Sequence, residues 1–418
     1  MKKTCLFAAC ASAWLFAQTL IAADYYYFGP GDVIAESVSA QITNTATLSP
    51  NSTSGGVLNF DANSAGQAYS AAGIQIEDTL GATTISGIHI QDGAVTVTGA
   101  TTLSSADYAR GVLTLSGGTL DARTFLLAGG NTSSATLALE GGIFKATTVT
   151  LATGANSTAS MLLSGNASYS GSRIETGIDA GGINSHALIS LKDNAKISLS
   201  GALQMGRGTN NTSTLSLTDG AAITVTSELD AGVSSTSTTA IAMSGTSSLT
   251  INGSRFRLGV GAGSYARLNL SNSAKLTVAN AYMNVADGAS SKAFVTVSGT
   301  AGLSVAGNMS IGVGQSSSGA MHIDGGTVTV GGTYIGLGHN QSASGTLTIS
   351  GGSLMAAANL SVGHNSASVG TVYMSAGSLS LTTISVANGT NSTGTVAIGG
   401  GDVKLTNGMV IGIGQSAS

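Results

Sequence analysis

Residues 345–393 read GTLTISGGSLMAAANLSVGHNSASVGTVYMSAGSLSLTTISVANGTNST. It contains two successive units, the first beginning at Gly345 and the second at Gly370. Each unit has three short segments in which apolar and polar residues alternate, separated by Gly, Ser, Asn or Ala. Alternation of this kind is typical of β-strands, and the small residues between the segments are turn formers. The unit is therefore predicted to be three strands joined by tight turns.

The same unit recurs along the chain with a period of about 26 residues. We predict an inward-facing residue near the start of the first strand of every unit: Ile88, Leu113, Leu137, Met161, Ile189, Leu215, Ile241, Leu268, Val295, Met321, Leu347, Val372 and Val396. A second inward position follows in most units: Leu120, Tyr169, Ile197, Ile223, Leu249, Leu276, Leu303, Val328, Leu354, Leu379 and Val403. A third strand follows in segments such as LQMG (203–206) and LSVG (360–363).

Three strands in about 26 residues correspond to one coil of a parallel β-helix, in which equivalent strands stack from coil to coil. Leucine-rich repeats share this length but need an LxxLxLxxN framework, which the units lack, and propeller blades are longer. Parallel crossovers are almost always right-handed. We therefore predict an all-β, right-handed parallel β-helix of about 13 three-strand coils over residues 85–418. Because a lone coil cannot cover its own apolar side chains, stacking is expected to stabilise it.

The first 23 residues have the pattern of a secretory signal peptide. Lys2 and Lys3 precede a mostly apolar segment that ends at the small residues Ala22 and Ala23, as in cleaved leaders. Both cysteines, Cys5 and Cys10, lie within this segment. We expect the protein to be exported through the inner membrane and to act without disulfides at the cell surface, at the outer membrane or as a secreted protein.

Residues 24–84 are less regular than the repeats and are predicted to form an N-terminal cap. They begin with Tyr25, Tyr26, Tyr27 and Phe28, and Val57–Phe60 resembles an imperfect first strand. A repeat array needs an atypical end to cover its first apolar face. The alternative is an aromatic platform that binds sugars.

The low charge of the chain argues against nucleic acid as a partner. Charged residues make up 8% of the sequence, and the formal net charge is −4. Loss of Lys2 and Lys3 with the leader would make the mature chain more negative still. A nucleic-acid-binding face needs clustered positive charge.

The units GTLTISGGSL (345–354) with NLSVG (359–363), and GAMHIDGGTVTVGGTYIGLG (319–338), resemble a known family. They are similar to the repeats of bacterial autotransporter passenger domains, the type V secretion and PEP-CTERM-associated repeat, from about Ile88 onward. The resemblance implies a right-handed β-helical passenger displayed at, or released from, the outer membrane of a Gram-negative-type cell. We recognise neither a translocator barrel nor a PEP-type tail in this sequence, so attachment is expected through a translocator outside it.

His339 and His364 are the most suggestive pair of side chains. Each lies in a GHN triplet, and they are one coil apart, so their side chains are expected to stack about 5 Å apart. Two imidazoles could share a metal ion, but a third ligand is needed. The adjacent coils offer Gln315 and Asn388, both poor ligands, so a polar ladder on a solvated turn is favoured.

A second cluster comprises Arg173, Glu175 and Asp179, and nearby coils add Lys192, Asp193 and Lys196. Basic and acidic groups on one face could abstract protons and neutralise carboxylates, as in β-helical polysaccharide lyases. A surface salt-bridge patch is the favoured interpretation. The sequence therefore predicts no catalytic, cofactor-binding or metal-binding residues.

The sequence is compatible with three functions. The first is a non-enzymatic, surface-displayed or secreted stalk or adhesion protein that binds a glycan or another cell-surface ligand. The second is a carbohydrate-active β-helix enzyme, a polysaccharide lyase or hydrolase. The third is a spacer segment of a longer autotransporter.

The last repeat also predicts self-association. The segment GIGQSAS (412–418) matches GVGQSSS (312–318) in the middle of the array, so the sequence stops at an ordinary repeat boundary. An open strand edge is a template for pairing. We expect either a longer natural chain or an end that docks on another subunit, with end-to-end self-association of the purified protein.

Overall fold

The computed structural model describes residues 25–28, 47–50, 57–60, 68–71, 73–76, 86–90, 94–178 and 183–412. The segment 1–23, and with it the expected leader, lies outside the described residues. Within them, 36 strands form one continuous parallel sheet wound into a solenoid of about 12 turns. None of the described residues forms a helix that would be long and apolar enough to cross a bilayer.

The predicted all-β parallel solenoid with a period of about 26 residues is confirmed. The solenoid has about 12 turns, where about 13 coils were expected. The right-handed sense stays a prediction.

The anchor register is correct from the first anchor to the last. Ile88 pairs with Leu113, Leu215 pairs with Ile241, and Val372 pairs with Val396. The first-face strands are β8 (Arg110–Leu115), β10 (Ser134–Leu139), β12 (Thr158–Leu163), β14 (His186–Leu191), β17 (Thr212–Leu217), β20 (Thr238–Met243), β23 (Tyr265–Leu270), β26 (Lys292–Val305), β28 (Ser318–Val330), β30 (Ser344–Ile349), β33 (Val369–Met374) and β35 (Thr393–Ile398). Strands β26 and β28 continue into the second face.

The second and third faces complete each coil. Second-face strands are β15 (Lys196–Leu199), β18 (Ala222–Val225), β21 (Ser248–Ile251), β24 (Lys275–Val278) and β31 (Ser353–Ala356). Third-face strands are β16 (Leu203–Met205), β19 (Glu228–Ala231), β22 (Arg255–Leu258), β25 (Tyr282–Val285), β27 (Met309–Ile311), β29 (Tyr334–Leu337) and β32 (Asn359–Val362). Strands that span both faces are β9 (Thr119–Leu127), β11 (Ile143–Leu151), β13 (Ser168–Thr176), β34 (Ser378–Val386) and β36 (Asp402–Ile411).

The region predicted as a cap, residues 24–84, contains further parallel strands: β1 (Tyr25–Phe28), β2 (Thr47–Pro50), β3 (Val57–Phe60), β4 (Ala68–Ala71) and β5 (Gly73–Ile76). The predicted repeat domain then begins with β6 (Ser86–Ile90) and β7 (Ala94–Leu103). Strand β3 pairs with β6, and β5 pairs with β7. The backbone ladder therefore crosses the boundary expected near residue 84, and the capping role stays a prediction.

The core is a continuous apolar column inside the coils. Strand alternation puts every second side chain inward, and β10 shows this as strict alternation of half-buried and buried residues. The rings of Phe125 and Phe144 lie 5.0 Å apart, and those of Phe144 and Tyr169 lie 5.1 Å apart. Phe144 fills the second-anchor position that the sequence pattern left vacant between Leu120 and Tyr169.

A ladder of buried serines closes the turns between the third and first faces. In seven of them the side-chain hydroxyl donates to the backbone carbonyl three residues earlier, whereas the buried hydroxyl of Ser317 has no hydrogen-bond partner among the described residues. For Ser291 the acceptor is Gly288, at 2.7 Å. The same bond is made by Ser133, Ser157, Ser237, Ser264, Ser368 and Ser392. At the equivalent position Ala343 is fully buried and cannot make the bond.

Candidate functional site

The third face and the turn that follows it carry both groups of candidate side chains. His339 follows β29 and His364 follows β32, and each is preceded by a glycine with a φ of +67° or +75°. This left-handed backbone conformation ends the strand and favours glycine. The two imidazole rings stack with centroids 5.0 Å apart and planes 16° apart. The predicted spacing of about 5 Å is therefore confirmed.

Tyr334 joins the histidines as a third ring. Its centroid lies 4.9 Å from that of His364 and 5.7 Å from that of His339, and its hydroxyl lies 3.1 Å from His339 Nδ1. The ring lies across Gly336, where a Cβ atom would come within 2.0 Å of the tyrosine hydroxyl. The sequence analysis did not predict Tyr334, although this residue begins the third-face strand that His339 follows. We call Tyr334, His339 and His364 the aromatic cluster.

Neutral polar groups complete the surroundings of the aromatic cluster. Ser361 Oγ lies 3.0 Å from His364 Nδ1, and Asn388 Nδ2 lies 3.4 Å from the same atom. Asn365 donates its side-chain amide to the carbonyl oxygen of His339. Asn388 thus lies beside the pair as expected, whereas Gln315 is exposed and accepts a backbone bond from Ser290.

The chemistry of the aromatic cluster is that of neutral rings. Burial lowers the pKa of both histidines, and the neighbouring charge of His339 lowers the pKa of His364 further. Burial also raises the pKa of the Tyr334 phenol. In nearly parallel rings the nitrogen lone pairs run side by side instead of converging on one point. No group of three His, Cys, Asp or Glu able to hold a metal occurs among the described residues, and the geometry favours a polar ladder.

The acidic and basic side chains on the third face form ion pairs. Arg173 lies 2.8 Å from Glu175, and Arg207 from the next coil lies 2.5 Å from the same carboxylate oxygen. Glu175 is 8% exposed, so the interaction is partly desolvated. Asp179 lies outside the described residues.

The predicted neighbours of Arg173 lie elsewhere. Asp193 occupies a turn, where its carboxylate accepts a hydrogen bond from the backbone of Gly165, and Lys196 begins β15 on the second face. The arginine that contacts Glu175 from the next coil is Arg207, which the sequence analysis did not predict. It could have been found from its position just after the third strand, which His339 and His364 occupy in later coils.

The ion pairs continue along the third face because its outward positions stack in register. Glu175, Gln204, Asp230, Arg257 and Asn284 occupy successive rungs of one ladder. Asp230 is only 1% exposed. Its carboxylate lies 2.8 Å from Arg257, which also lies 3.2 Å from Asp287.

A second arginine shares this carboxylate. Arg255 lies 3.1 Å from Asp230 and 2.8 Å from Glu228. Four arginines and four carboxylates thus meet along the face, and we call them the charge ladder: Arg173, Arg207, Arg255, Arg257, Glu175, Glu228, Asp230 and Asp287.

In the charge ladder, every carboxylate is neutralised by at least one arginine. Burial alone would raise the pKa of Asp230, but hydrogen bonds and charge from Arg257 and Arg255 outweigh it and hold this pKa below its ordinary value. The same contact with Asp230 raises the pKa of Arg257. A carboxylate stabilised in this way is a weak base at neutral pH, so the arrangement favours structure over proton abstraction.

Comparison with known proteins gives no relative: no family model, curated protein or solved structure matches this chain.

Proposed function

We propose that the protein is an exported, non-enzymatic β-solenoid that acts as a structural stalk or adhesion protein at the cell surface or after secretion. The continuous parallel ladder, in which each coil pairs only with the coils before and after it, is the main support for this proposal. With about 12 turns and about 4.8 Å per coil, the stack spans roughly 60 Å. Such a rod holds its side faces at fixed spacing, which suits a spacer or a multivalent binding surface.

The charge ladder supports a non-enzymatic role. Its carboxylates are satisfied by arginines, and the imidazoles of the aromatic cluster stack on each other and contact neutral groups. A general base needs a free lone pair and a pKa near the working pH. The resemblance of the repeats to autotransporter passengers supports export, with attachment through a translocator outside this sequence.

Cell-surface labelling tests the proposal. The full chain, tagged at the exposed turn residue Asn272, is expressed in a Gram-negative-type host, and the tag is sought on intact cells and in the medium. We expect tag outside the cytoplasm. A matched variant lacking residues 2–22 should retain the tag inside. Uncleaved, fully cytoplasmic protein from the complete chain would contradict export.

An activity assay distinguishes the non-enzymatic role from polysaccharide cleavage. Purified protein is incubated with polygalacturonate, and new unsaturated or reducing ends are measured. We expect none above the level of a heat-treated sample. Cleavage that disappears in Arg173→Ala would overturn the non-enzymatic role and favour the carbohydrate-active alternative.

A further inference from the structure

The first face carries a compact patch of alternating aromatic and cationic side chains. In the pairing of β23 with β26, Tyr265 lies opposite Lys292 and Arg267 lies opposite Phe294. All four side chains point outward, because the residues between them are buried. The two rings meet diagonally across the strands with centroids 5.6 Å apart and planes tilted by 40°. We call these four residues the checkerboard.

The checkerboard exposes two aromatic rings to solvent. Tyr265 is 37% exposed and Phe294 is 36% exposed. The positions aligned with Phe294 in the next two coils are Ala320 and Thr346. The next two coils therefore have no aromatic ring at the position of Phe294. An exposed aromatic patch often marks a binding surface.

The charge of the first face is one-sided. No Asp or Glu occurs in residues 110–115, 134–139, 158–163, 186–191, 212–217, 238–243, 265–270, 292–297, 318–323, 344–349, 369–374 and 393–398 of this face. Exposed carboxylates follow directly after two of these segments, at Glu140 and at Asp324 on the continuation of β28. Arg267 donates to the uncharged side chain of Asn269 at 3.2 Å. Among the described residues, neither Arg267 nor Lys292 has an ion-pair partner. The carboxylates of the neutral charge ladder are on another face, so this face attracts anions although the chain is acidic overall.

We propose that the checkerboard binds an anionic polysaccharide, of the uronic-acid type, laid along the flat first face. The apolar C–H face of a sugar ring stacks on Tyr265 and Phe294, whose amphipathic surfaces suit such contacts. Carboxylates on neighbouring sugars meet Arg267 and Lys292, with the arginine able to bind in bidentate geometry. The inference rests on the proposed adhesion role and names the class of its ligand.

The flanking residues favour a glycan over a lipid surface. Thr296 on β26 itself, and Thr346 and Thr348 on β30, offer hydroxyl groups on the outward side of the same face. Two rings that are each about two-thirds covered cannot insert deeply into a bilayer, whereas a sugar chain needs only a flat platform.

Binding of the purified full chain to polygalacturonate, with dextran as the neutral control, tests the site. We expect saturable binding to polygalacturonate that weakens as salt rises, and none to dextran. Arg267→Ala/Lys292→Ala should weaken binding by about tenfold or more, because two charge-assisted contacts are lost. Tyr265→Ser/Phe294→Ser should weaken it by a similar factor while keeping the salt dependence.

Matched controls exclude general effects. Lys275→Ala removes a charge from the neighbouring second face, and Thr136→Ala changes an outward position of the first face in a distant coil; both should bind within about twofold of wild type. Unchanged melting temperatures show that the double variants remain folded. Equal binding to dextran, wild-type affinity in folded double variants, or binding confined to anionic lipid vesicles would each overturn the proposal. Because purified protein is used, such a failure leaves the export result standing, and failed surface labelling leaves the binding result standing.

Discussion

Leu215 and Ser216 are neighbours on β17 that face opposite sides of the solenoid wall. Leu215 is fully buried, and Ser216 lies on the half-buried outer row. Leu215→Asp should lower the free energy of unfolding by several kcal/mol, about 3–5, because an unpaired charge enters an apolar column. Ser216→Asp, its matched control, should change it by less than about 1 kcal/mol. Urea unfolding measures both, and equal losses would refute the register.

Ser291 and Ala343 occupy equivalent turn positions with and without the buried hydroxyl. Ser291→Ala removes the bond to the Gly288 carbonyl and should cost about 1 kcal/mol of unfolding free energy. Ala343→Ser should gain up to about 1 kcal/mol, since the new hydroxyl can reach the carbonyl of Asn340, to which Ala343 already donates its backbone N–H. Thermal unfolding of the two variants checks the pair, and shifts of the same sign would contradict the ladder.

At the scale of elements, Asp230 is the centre of the charge ladder between β19 and β22. Asp230→Asn leaves Arg255 and Arg257 without their shared anion, and should cost about 2–3 kcal/mol, less than a fully buried pair because Arg257 keeps some exposure. Asp219→Asn, at an exposed turn where φ is +56°, is the matched control and should cost less than about 0.5 kcal/mol. Chemical denaturation distinguishes them, and equal effects would show that the ladder contributes little.

The aromatic cluster predicts how stability depends on pH. Burial holds the folded-state pKa of both histidines below their ordinary value of 6.5. As pH falls below about 6.5, the unfolded chain takes up protons first, so the free energy of unfolding should fall until the folded histidines also titrate. His339→Asn/His364→Asn should flatten this part of the profile. Melting temperatures between pH 7.5 and 5 measure it, and an unchanged slope in the double variant would contradict the assignment.

At the scale of the whole molecule, the coil formed by β35 and β36 exposes residues that are buried in other coils. Val403 is 36% exposed and Ile411 is 72% exposed, whereas their register partners Leu379 and Val386 are 0% and 5% exposed. We propose that this surface pairs with a second copy of the chain, as an open strand edge permits. The average mass by light scattering should rise with protein concentration.

Val403→Lys/Ile411→Lys should reduce this self-association by placing like charges on the edge. Ile143→Lys is the matched control, since Ile143 is 44% exposed on β11, a strand that is paired on both sides, and it should associate as wild type does. A strictly monomeric mass at the highest concentration reached would refute the pairing.

The solenoid, its period and the register of its anchors could all be predicted from the amino-acid sequence. These features are local: strand alternation chooses the inward residues, and turns that need a left-handed backbone conformation recur once per coil. Even the 5 Å spacing of His339 and His364 followed, because both come directly after the third strand in adjacent coils.

Which outward side chains contact each other could be seen only in the three-dimensional arrangement of the coils. Glu175 is in register with Gln204, and Arg207, which follows the end of β16, contacts the carboxylate from beyond the strand. Lys196 is in register with Ser168 on the second face and so lies away from Glu175. Tyr334 reaches the histidines because Gly336 leaves room for its ring. The checkerboard likewise needs two aromatic residues at different offsets in adjacent coils to meet diagonally. Contacts between outward side chains depend on the direction in which each side chain leaves its strand or turn. The period of the apolar residues does not determine that direction.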